Sequence, residues 1–182
     1  ALDMAQKGKQ VLLIDCDLHK PACHAVLEQW EFKEGIKEVL LGHAGLPGAA
    51  IRYRKSGLYL LLANKGDRTT SDLITSRRMG TLLDWARENF DCVVLDLPPM
   101  NAVSDAEGMA DLADAALLVV RQNVAVAPSL NKAIGALEGR RAKLLGCVLN
   151  NVHSTEILSG EGYGTGYGRY GGYGKYGRYG KY

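Results

Sequence analysis

Short apolar runs alternate with amphipathic segments along most of the chain. Five runs are too short for ordinary helices and rich in aliphatic residues, so they are predicted strands at residues 10–16, 58–63, 92–96, 115–121 and 143–150. A weaker run at 51–54 predicts an edge strand. Most runs are apolar at successive positions, as in strands covered by helices on both faces. The pattern predicts an α/β fold with a mostly parallel, doubly wound sheet flanked by helices.

The amphipathic pattern also predicts a long helix and a domain boundary. Residues 72–89 carry apolar side chains at helical spacing, with Asp72 as the expected N-cap. After Val152 the periodicity stops, and glycine supplies ten of the last 23 residues. Such a segment buries too little apolar surface to offset its chain entropy. We therefore expect one domain over residues 1–152 and a disordered Gly/Tyr-rich tail over 153–182.

Composition narrows the class of protein. At 47% hydrophobic and 23% charged residues, the chain is an ordinary globular domain, and a net charge of +2 gives no reason to expect nucleic acid as a partner. No apolar run approaches the roughly 20 residues of a membrane-spanning helix. The first ten residues, "ALDMAQKGKQ", lack the apolar region of a secretory signal. These features favour a cytoplasmic protein.

Three of the four cysteines are interpreted as reduced core residues. Cys16, Cys92 and Cys147 lie in or beside predicted strands, where we expect them to be buried. The stretch "CDLHKPACH" brings two cysteines and two histidines together, but it contains no C-x-x-C pair, and its first cysteine would have to leave a strand to bind zinc. A zinc site there is therefore disfavoured.

Aspartates follow two of the predicted strands. "VLLIDCDLHKP" ends a strand on Asp15 and Asp17, and "CVVLDLPP" ends another on Asp96 before two prolines. Open α/β sheets bind ligands at the carboxyl ends of their strands. Three carboxylates at one edge repel each other unless a cation such as magnesium compensates them. The alternative is that each aspartate only caps the turn after its strand.

These two motifs resemble the Walker A′ and Walker B motifs of bacterial tyrosine autokinases, the BY-kinases of capsule and exopolysaccharide synthesis. The likeness extends through "FDCVVLDLPPMNAVSDAEGMADLADAALLVVRQN" to "LGCVLNNV", and it includes the terminal tyrosine cluster. The resemblance implies a fold of the MinD/ParA-like branch of P-loop NTPases. It also implies ATP and Mg²⁺ as cofactors.

The resemblance assigns roles to particular residues. Asp15 is the implied base for an attacking tyrosine hydroxyl, while Asp17 and Asp96 are implied to hold Mg²⁺, through water. Asn150 stands where relatives contact adenine, although an ordinary strand-end cap is an equally good interpretation. The implied phosphate acceptors are the tail tyrosines Tyr163, Tyr167, Tyr170, Tyr173, Tyr176, Tyr179 and Tyr182.

The chain also departs from the family pattern. His19 replaces a usual arginine, Leu97 replaces a usual threonine or serine, and "DRTTSDLI" replaces a proline-rich stretch. No match to the phosphate-binding pattern G-x-x-x-x-G-K-[ST] is present, and "KGKQ" before the first strand lacks the required Ser or Thr. We therefore expect a fragment that begins after its P-loop and binds ATP poorly by itself.

The resemblance further implies partners and a location. These are a transmembrane activator of the chain-length-determinant type, fused or separate, a counteracting tyrosine phosphatase, and a homo-oligomer that phosphorylates tails in trans at the inner face of the plasma membrane. Two other interpretations remain open. The domain could be a MinD/ParA-like ATPase without kinase activity, or the tail could be a Gly/Tyr/Arg-rich RNA-binding arm, whose binding would weaken with salt.

Overall fold

The computed structural model describes residues 1–64, 71–100, 102 and 104–152. The predicted tail, 153–182, lies outside this range together with its seven candidate acceptor tyrosines. Helices and strands are interspersed along the described residues, singly or in runs of two or three of one kind. In chain order they are α1 (Leu2–Gln6), β1 (Val11–Asp15), α2 (Cys23–Val26), α3 (Ile36–Leu41), α4 (Leu46–Ala49), β2 (Ile51–Arg52), β3 (Leu58–Leu61), α5 (Ser71–Ile74), α6 (Arg77–Asn89), β4 (Cys92–Asp96), α7 (Asp105–Met109), β5 (Ala115–Arg121), α8 (Ala127–Leu137) and β6 (Lys143–Asn150).

A four-stranded sheet with the order β2-β3-β1-β4 forms the centre of the fold. Strand β1 runs parallel to β3 on one side and to β4 on the other, and β2 is the antiparallel edge strand. The β1–β4 register places Val11 opposite Cys92 and Asp15 opposite Asp96. All six predicted strands are therefore present, and the α/β class is confirmed.

Both faces of the central sheet are covered, as its apolar strands require. Leu12 and Ile14 of β1 pack on one side in a cluster that includes the buried face of α6. Val11 and Leu58 pack on the other side in a second cluster that includes Ala5 of α1. Full burial of one such aliphatic side chain contributes about 1.5–3 kcal/mol. These two layers hold the carboxyl ends of β1 and β4 in a fixed position.

Strands β5 and β6 form a second, separate sheet of two parallel strands. Their register shifts between Ala116 and Leu117, where β6 carries one extra residue. Gly146 lies at this shift with φ 141°, a backbone angle that residues other than glycine rarely adopt. The sequence predicts one mostly parallel sheet. In the described residues the hydrogen bonds instead divide the strands into two sheets.

The helix predicted over 72–89 is interrupted. Helices α5 and α6 are separated by Thr75 and Ser76, and Asp72 lies inside α5 rather than capping a long helix. The Ser76 hydroxyl donates a hydrogen bond to the Leu73 carbonyl oxygen at 2.6 Å. A serine that bonds a nearby carbonyl in this way competes with the helical hydrogen bonds of the backbone. The 3.6-residue periodicity continues across the break and conceals it.

The expectation that Cys16, Cys92 and Cys147 are all buried is only partly correct. Cys16 is buried and Cys92 is half-buried, but Cys147 on β6 is exposed. All four cysteines of the chain are free thiols. Among the described helices, none has the length and apolar character needed to cross a bilayer.

Candidate functional site

The carboxyl ends of β1 and β4 bring two aspartates side by side. Asp15 and Asp96 each end their strand and are register partners in the parallel ladder. The Cys16 N–H donates to the Asp96 carbonyl oxygen at 2.8 Å, which continues the pairing past the strand ends. The prediction that these two carboxylates meet at one sheet edge is confirmed.

Asp15 is fully buried, which is unusual for an aspartate. Its carboxylate accepts N–H groups from Asp17 and Cys23, each at 3.2 Å. The pKa of Asp15 is raised from 3.8 to about 6, mainly by burial and in addition by the charges of Asp96 and Asp17, while the two N–H donors act in the opposite direction. A carboxyl group that exchanges its proton near neutral pH suits general base catalysis.

Cys23, the first residue of α2, contacts both strand-end carboxylates. Its N–H reaches Asp15, and its Sγ donates to Asp96 Oδ2 at 3.2 Å. Burial, followed by the nearby aspartate charges, raises the pKa of Cys23 strongly, so the residue remains a neutral thiol donor. The sequence gives this cysteine no role other than that of a disfavoured zinc ligand. Only the position of α2 over the sheet edge reveals the contact.

Asp17 has a different local role. Its Oδ1 accepts the N–H groups of His19 at 3.1 Å and Lys20 at 2.9 Å, so the side chain fixes the turn that follows β1. This is the turn-forming behaviour that the sequence left open as an alternative. Asp17 is nevertheless buried beside Asp15, with 7% of its surface exposed. Its role as a magnesium ligand stays a prediction.

A cation fits the donors at this edge. Ligand atoms of Asp15, Cys23 and Asp96 lie within 4.8 Å of one another. Carboxylate oxygens suit Mg²⁺, whereas a neutral thiol does not. The charges of Asp96 and Asp17 add to the effect of burial on the pKa of Asp15, and a cation would stabilise these carboxylates. Within the described residues, the clustered ligand atoms belong to Asp15, Cys23 and Asp96.

Asn150 lies at the end of β6, in the other sheet. Its Oδ1 accepts the N–H of Asn151 at 2.8 Å, and its carbonyl oxygen accepts the N–H of Gln122 at 3.0 Å. Among the described residues, no hydrogen bond links Asn150 to the three aspartates. The side chain thus forms a strand-end cap, which is the alternative interpretation of this residue. That Asn150 also contacts adenine stays a prediction.

Comparison with known proteins first gives the class. Residues 1–136 match the AAA domain family. The structure of the septum site-determining protein MinD from Pyrococcus horikoshii, complexed with Mg-ADP, resembles this chain with a TM-score of 0.69 at 20% identity, over 81% of this chain and 60% of that one. The fold is therefore that of the MinD-like P-loop NTPases.

More similar proteins narrow the class. The tyrosine-protein kinase YwqD of Bacillus subtilis is 32% identical over 165 residues, which are 91% of this chain and 69% of that protein. The solved kinase domain of Escherichia coli ETK has a TM-score of 0.78 at 30% identity, over 91% of this chain and 64% of that one. The chain belongs to the bacterial tyrosine-protein kinase family. It matches only 20% of the length of tyrosine-protein kinase etk from E. coli K12.

Proposed function

We propose that the protein containing this chain is a tyrosine autokinase that transfers the γ-phosphate of ATP to tyrosines of its own tail. The observation that carries the proposal is the pair of strand-end carboxylates, Asp15 and Asp96, beside each other at the ligand-binding edge of a MinD-like sheet. The similarity to named tyrosine-protein kinases supports the same reaction.

Asp15 is proposed as the base. Its carboxylate accepts the phenolic proton as the tyrosine oxygen forms a bond to the γ-phosphorus, and the bond from that phosphorus to the leaving ADP oxygen breaks. A pKa of about 6 leaves Asp15 mostly ionised at neutral pH. The N–H groups of Asp17 and Cys23 orient the carboxylate, which improves the geometry of proton transfer.

Asp17 and Asp96 are proposed to hold Mg²⁺, partly through water. The ion would supply charge stabilisation for the phosphates of ATP. Asp96 has an exposed carboxylate at the sheet edge, and Asp17 is held beside Asp15 by the turn after β1. Asn150 is proposed to contact adenine. The 182 residues contain no P-loop pattern, so the phosphate cradle would come from elsewhere in the protein.

The tail is the proposed substrate. Glycine neighbours offer little steric resistance, so a tyrosine between glycines is suited to placing its hydroxyl beside a γ-phosphate. Any Gly-rich chain of 30 residues that behaves as a random coil spans roughly 30 Å on average, a reach that would allow transfer to a tail from a neighbouring copy. By family resemblance, we further propose a transmembrane activator, an opposing phosphatase, a location at the inner membrane face and a role in exopolysaccharide or capsule export.

The experiment uses the complete gene product with its activator. After incubation with radiolabelled ATP and Mg²⁺, we expect label on the tail tyrosines. Replacing the seven tail tyrosines with phenylalanine should remove that label while ATP turnover continues. ATP hydrolysis without protein labelling in the unsubstituted protein would favour a MinD-like ATPase instead. Salt-sensitive RNA binding by an unlabelled tail would favour the RNA-binding arm.

A further inference from the structure

An open cleft lies at the same sheet edge as the aspartates. Its volume is about 480 Å³, and it is lined by His24, Trp30, Phe32, Lys37, Glu38 and Asn64. His24 directly follows Cys23, the residue that contacts Asp15 and Asp96. The opposite side of the cleft follows β3, because Asn64 comes three residues after that strand ends. The cleft and the candidate active site are thus lined by successive residues of α2, His24 and Cys23.

Hydrogen bonds join the segments that line the cleft. The Ile36 N–H donates to the Leu62 carbonyl oxygen at 2.9 Å, which attaches the start of α3 to the end of β3. Glu38 Oε2 accepts the Gly35 N–H at 2.8 Å and the Asn64 amide at 3.4 Å. A side chain at position 35 would overlap the Leu62 carbonyl oxygen, so the close approach requires glycine. A partner could bind here without first ordering the backbone.

Trp30 forms an exposed wall of this cleft. Its side chain is 65% exposed, although it contacts His24 edge-to-face with ring centroids 5.1 Å apart. In the described residues, His24 Nδ1 is the buried side-chain nitrogen that lacks a hydrogen-bond partner. Exposed tryptophan beside a preformed cleft is typical of binding hot spots, where an aromatic side chain or a cation covers the ring.

The loop that carries Trp30 is acidic, whereas the tail is basic. Residues 28–34, the acidic aromatic loop, contain three exposed glutamates, Glu28, Glu31 and Glu34, and one lysine, Lys33, which gives a net charge of −2. From Gly160 to the end, four cations and Glu161 give the tail a net charge of +3. The tail also offers seven tyrosines for aromatic stacking on Trp30 and Phe32.

We propose that the acidic aromatic loop and its cleft dock residues 160–182 of this protein and so deliver tail tyrosines to Asp15. This inference rests on the proposed function for the fate of the bound tyrosine, but docking itself needs no nucleotide. Each phosphotyrosine adds about −1.5 to −2 charges, so seven would bring the tail to roughly −8 to −11. Phosphorylation therefore releases the tail from a loop of the same sign.

The test measures docking directly. A fluorescent peptide of residues 160–182 is titrated into the 182-residue chain whose seven tail tyrosines are replaced by serine, without ATP, and anisotropy is recorded. We expect saturable binding that Trp30→Ala weakens about tenfold or more. The combined change Glu28→Gln, Glu31→Gln and Glu34→Gln should weaken binding several-fold and reduce its dependence on salt.

Two controls make the result specific. Val124→Ala removes an apolar side chain of similar exposure, 64%, from the turn after β5, and we expect it to leave binding within about twofold. A peptide phosphorylated on all seven tyrosines should bind at least tenfold more weakly than the unmodified peptide. Circular dichroism and thermal unfolding check that each variant keeps its fold.

Three results would overturn docking. The first is no saturable binding, and the second is binding that Trp30→Ala leaves within twofold. The third is a Trp30-dependent dimer that the peptide does not displace, which would assign the cleft to a second folded domain. In the complete protein, Asp15→Asn should reduce tail labelling by about 10²–10⁴-fold yet retain peptide binding. Docking without any tail labelling in the unsubstituted protein would contradict the proposed function, whereas labelling that persists without docking would contradict this inference alone.

Discussion

Strands β1 and β5 have similar apolar sequences but opposite environments. In β1, Val11, Leu12 and Ile14 have no exposed surface. In β5, Leu117 is 55% exposed and Val119 is 64% exposed. Burial depends on what covers a strand, not only on its own hydrophobicity.

The neighbours of the two strands explain this difference. Strand β1 lies between β3 and β4 and is covered on both faces by packed side chains. The β5–β6 pair has one packed side, where Leu118 and Leu144 contact the cluster of Leu137 on α8. Its other apolar residues face outward. The candidate site residues Asp15 and Asp96 therefore lie in the sheet that is covered on both faces, whereas Asn150 lies in the more exposed one.

The largest expected effect is on the rate of tail phosphorylation, and it comes from comparing substitutions at the last residues of β1 and β6. In the complete protein, Asp15→Asn should reduce tail phosphorylation by about 10²–10⁴-fold, because asparagine cannot accept the tyrosine proton. Asn150→Ala should raise KM for ATP with a much smaller change in kcat, since it removes only a binding contact. Initial rates of phosphotyrosine formation at several ATP concentrations measure both effects. Equal losses of kcat in the two variants would contradict the assignment of Asp15 to the chemical step and of Asn150 to ATP binding alone.

A matched pair of leucine truncations tests the structural contrast. Leu60→Ala removes a fully buried side chain from β3 and should lower the free energy of unfolding by about 2–5 kcal/mol. Leu117→Ala removes an exposed side chain from β5 and should change it by less than about 1 kcal/mol. Urea unfolding followed by circular dichroism gives both values. A loss at Leu117 as large as that at Leu60 would mean that β5 is buried in solution.

The sequence predicts the central, covered sheet better than the exposed β5–β6 sheet, for a physical reason. Parallel strands end at one edge of a sheet, so "VLLID" and "CVVLD" predict that Asp15 and Asp96 lie at the same edge, and the structure adds that β1 and β4 are direct neighbours. The exposure of Cys147 depends on packing from distant elements, which local periodicity does not report. The Cys23 contact likewise depends on how a short helix crosses the sheet edge, and the interruption before α6 depends on one serine hydroxyl.

The next prediction concerns stability and pH at β1. The pKa of Asp15 is about 6 in the fold against an ordinary 3.8, so the folded chain keeps a proton that the unfolded chain has released in this interval. The contribution of Asp15 to stability is therefore greatest below pH 3.8 and declines as the pH rises to about 6. The full decline is at most about 3 kcal/mol.

Asp15→Asn should remove that decline. Between about pH 4 and about pH 7, the unsubstituted chain should lose unfolding free energy relative to the variant, because only the unsubstituted chain carries Asp15. Urea titrations with a metal chelator present, at several pH values, measure it. If the unfolding free energies of the two proteins changed with pH in the same way, the pKa of Asp15 would not be raised in the folded chain.

The smallest expected effect compares two cysteines, one from each region. Cys23→Ala removes the thiol that donates to Asp96 and should lower the free energy of unfolding by about 1 kcal/mol, while Cys23→Ser should recover much of this loss because its hydroxyl can donate instead. Cys147→Ala, on the exposed β6, should change stability by less than about 0.5 kcal/mol. Urea unfolding of the three variants in reducing buffer makes the comparison. If serine and alanine at position 23 were equally destabilising, the thiol would act only by filling space, and Asp96 would not depend on its hydrogen bond.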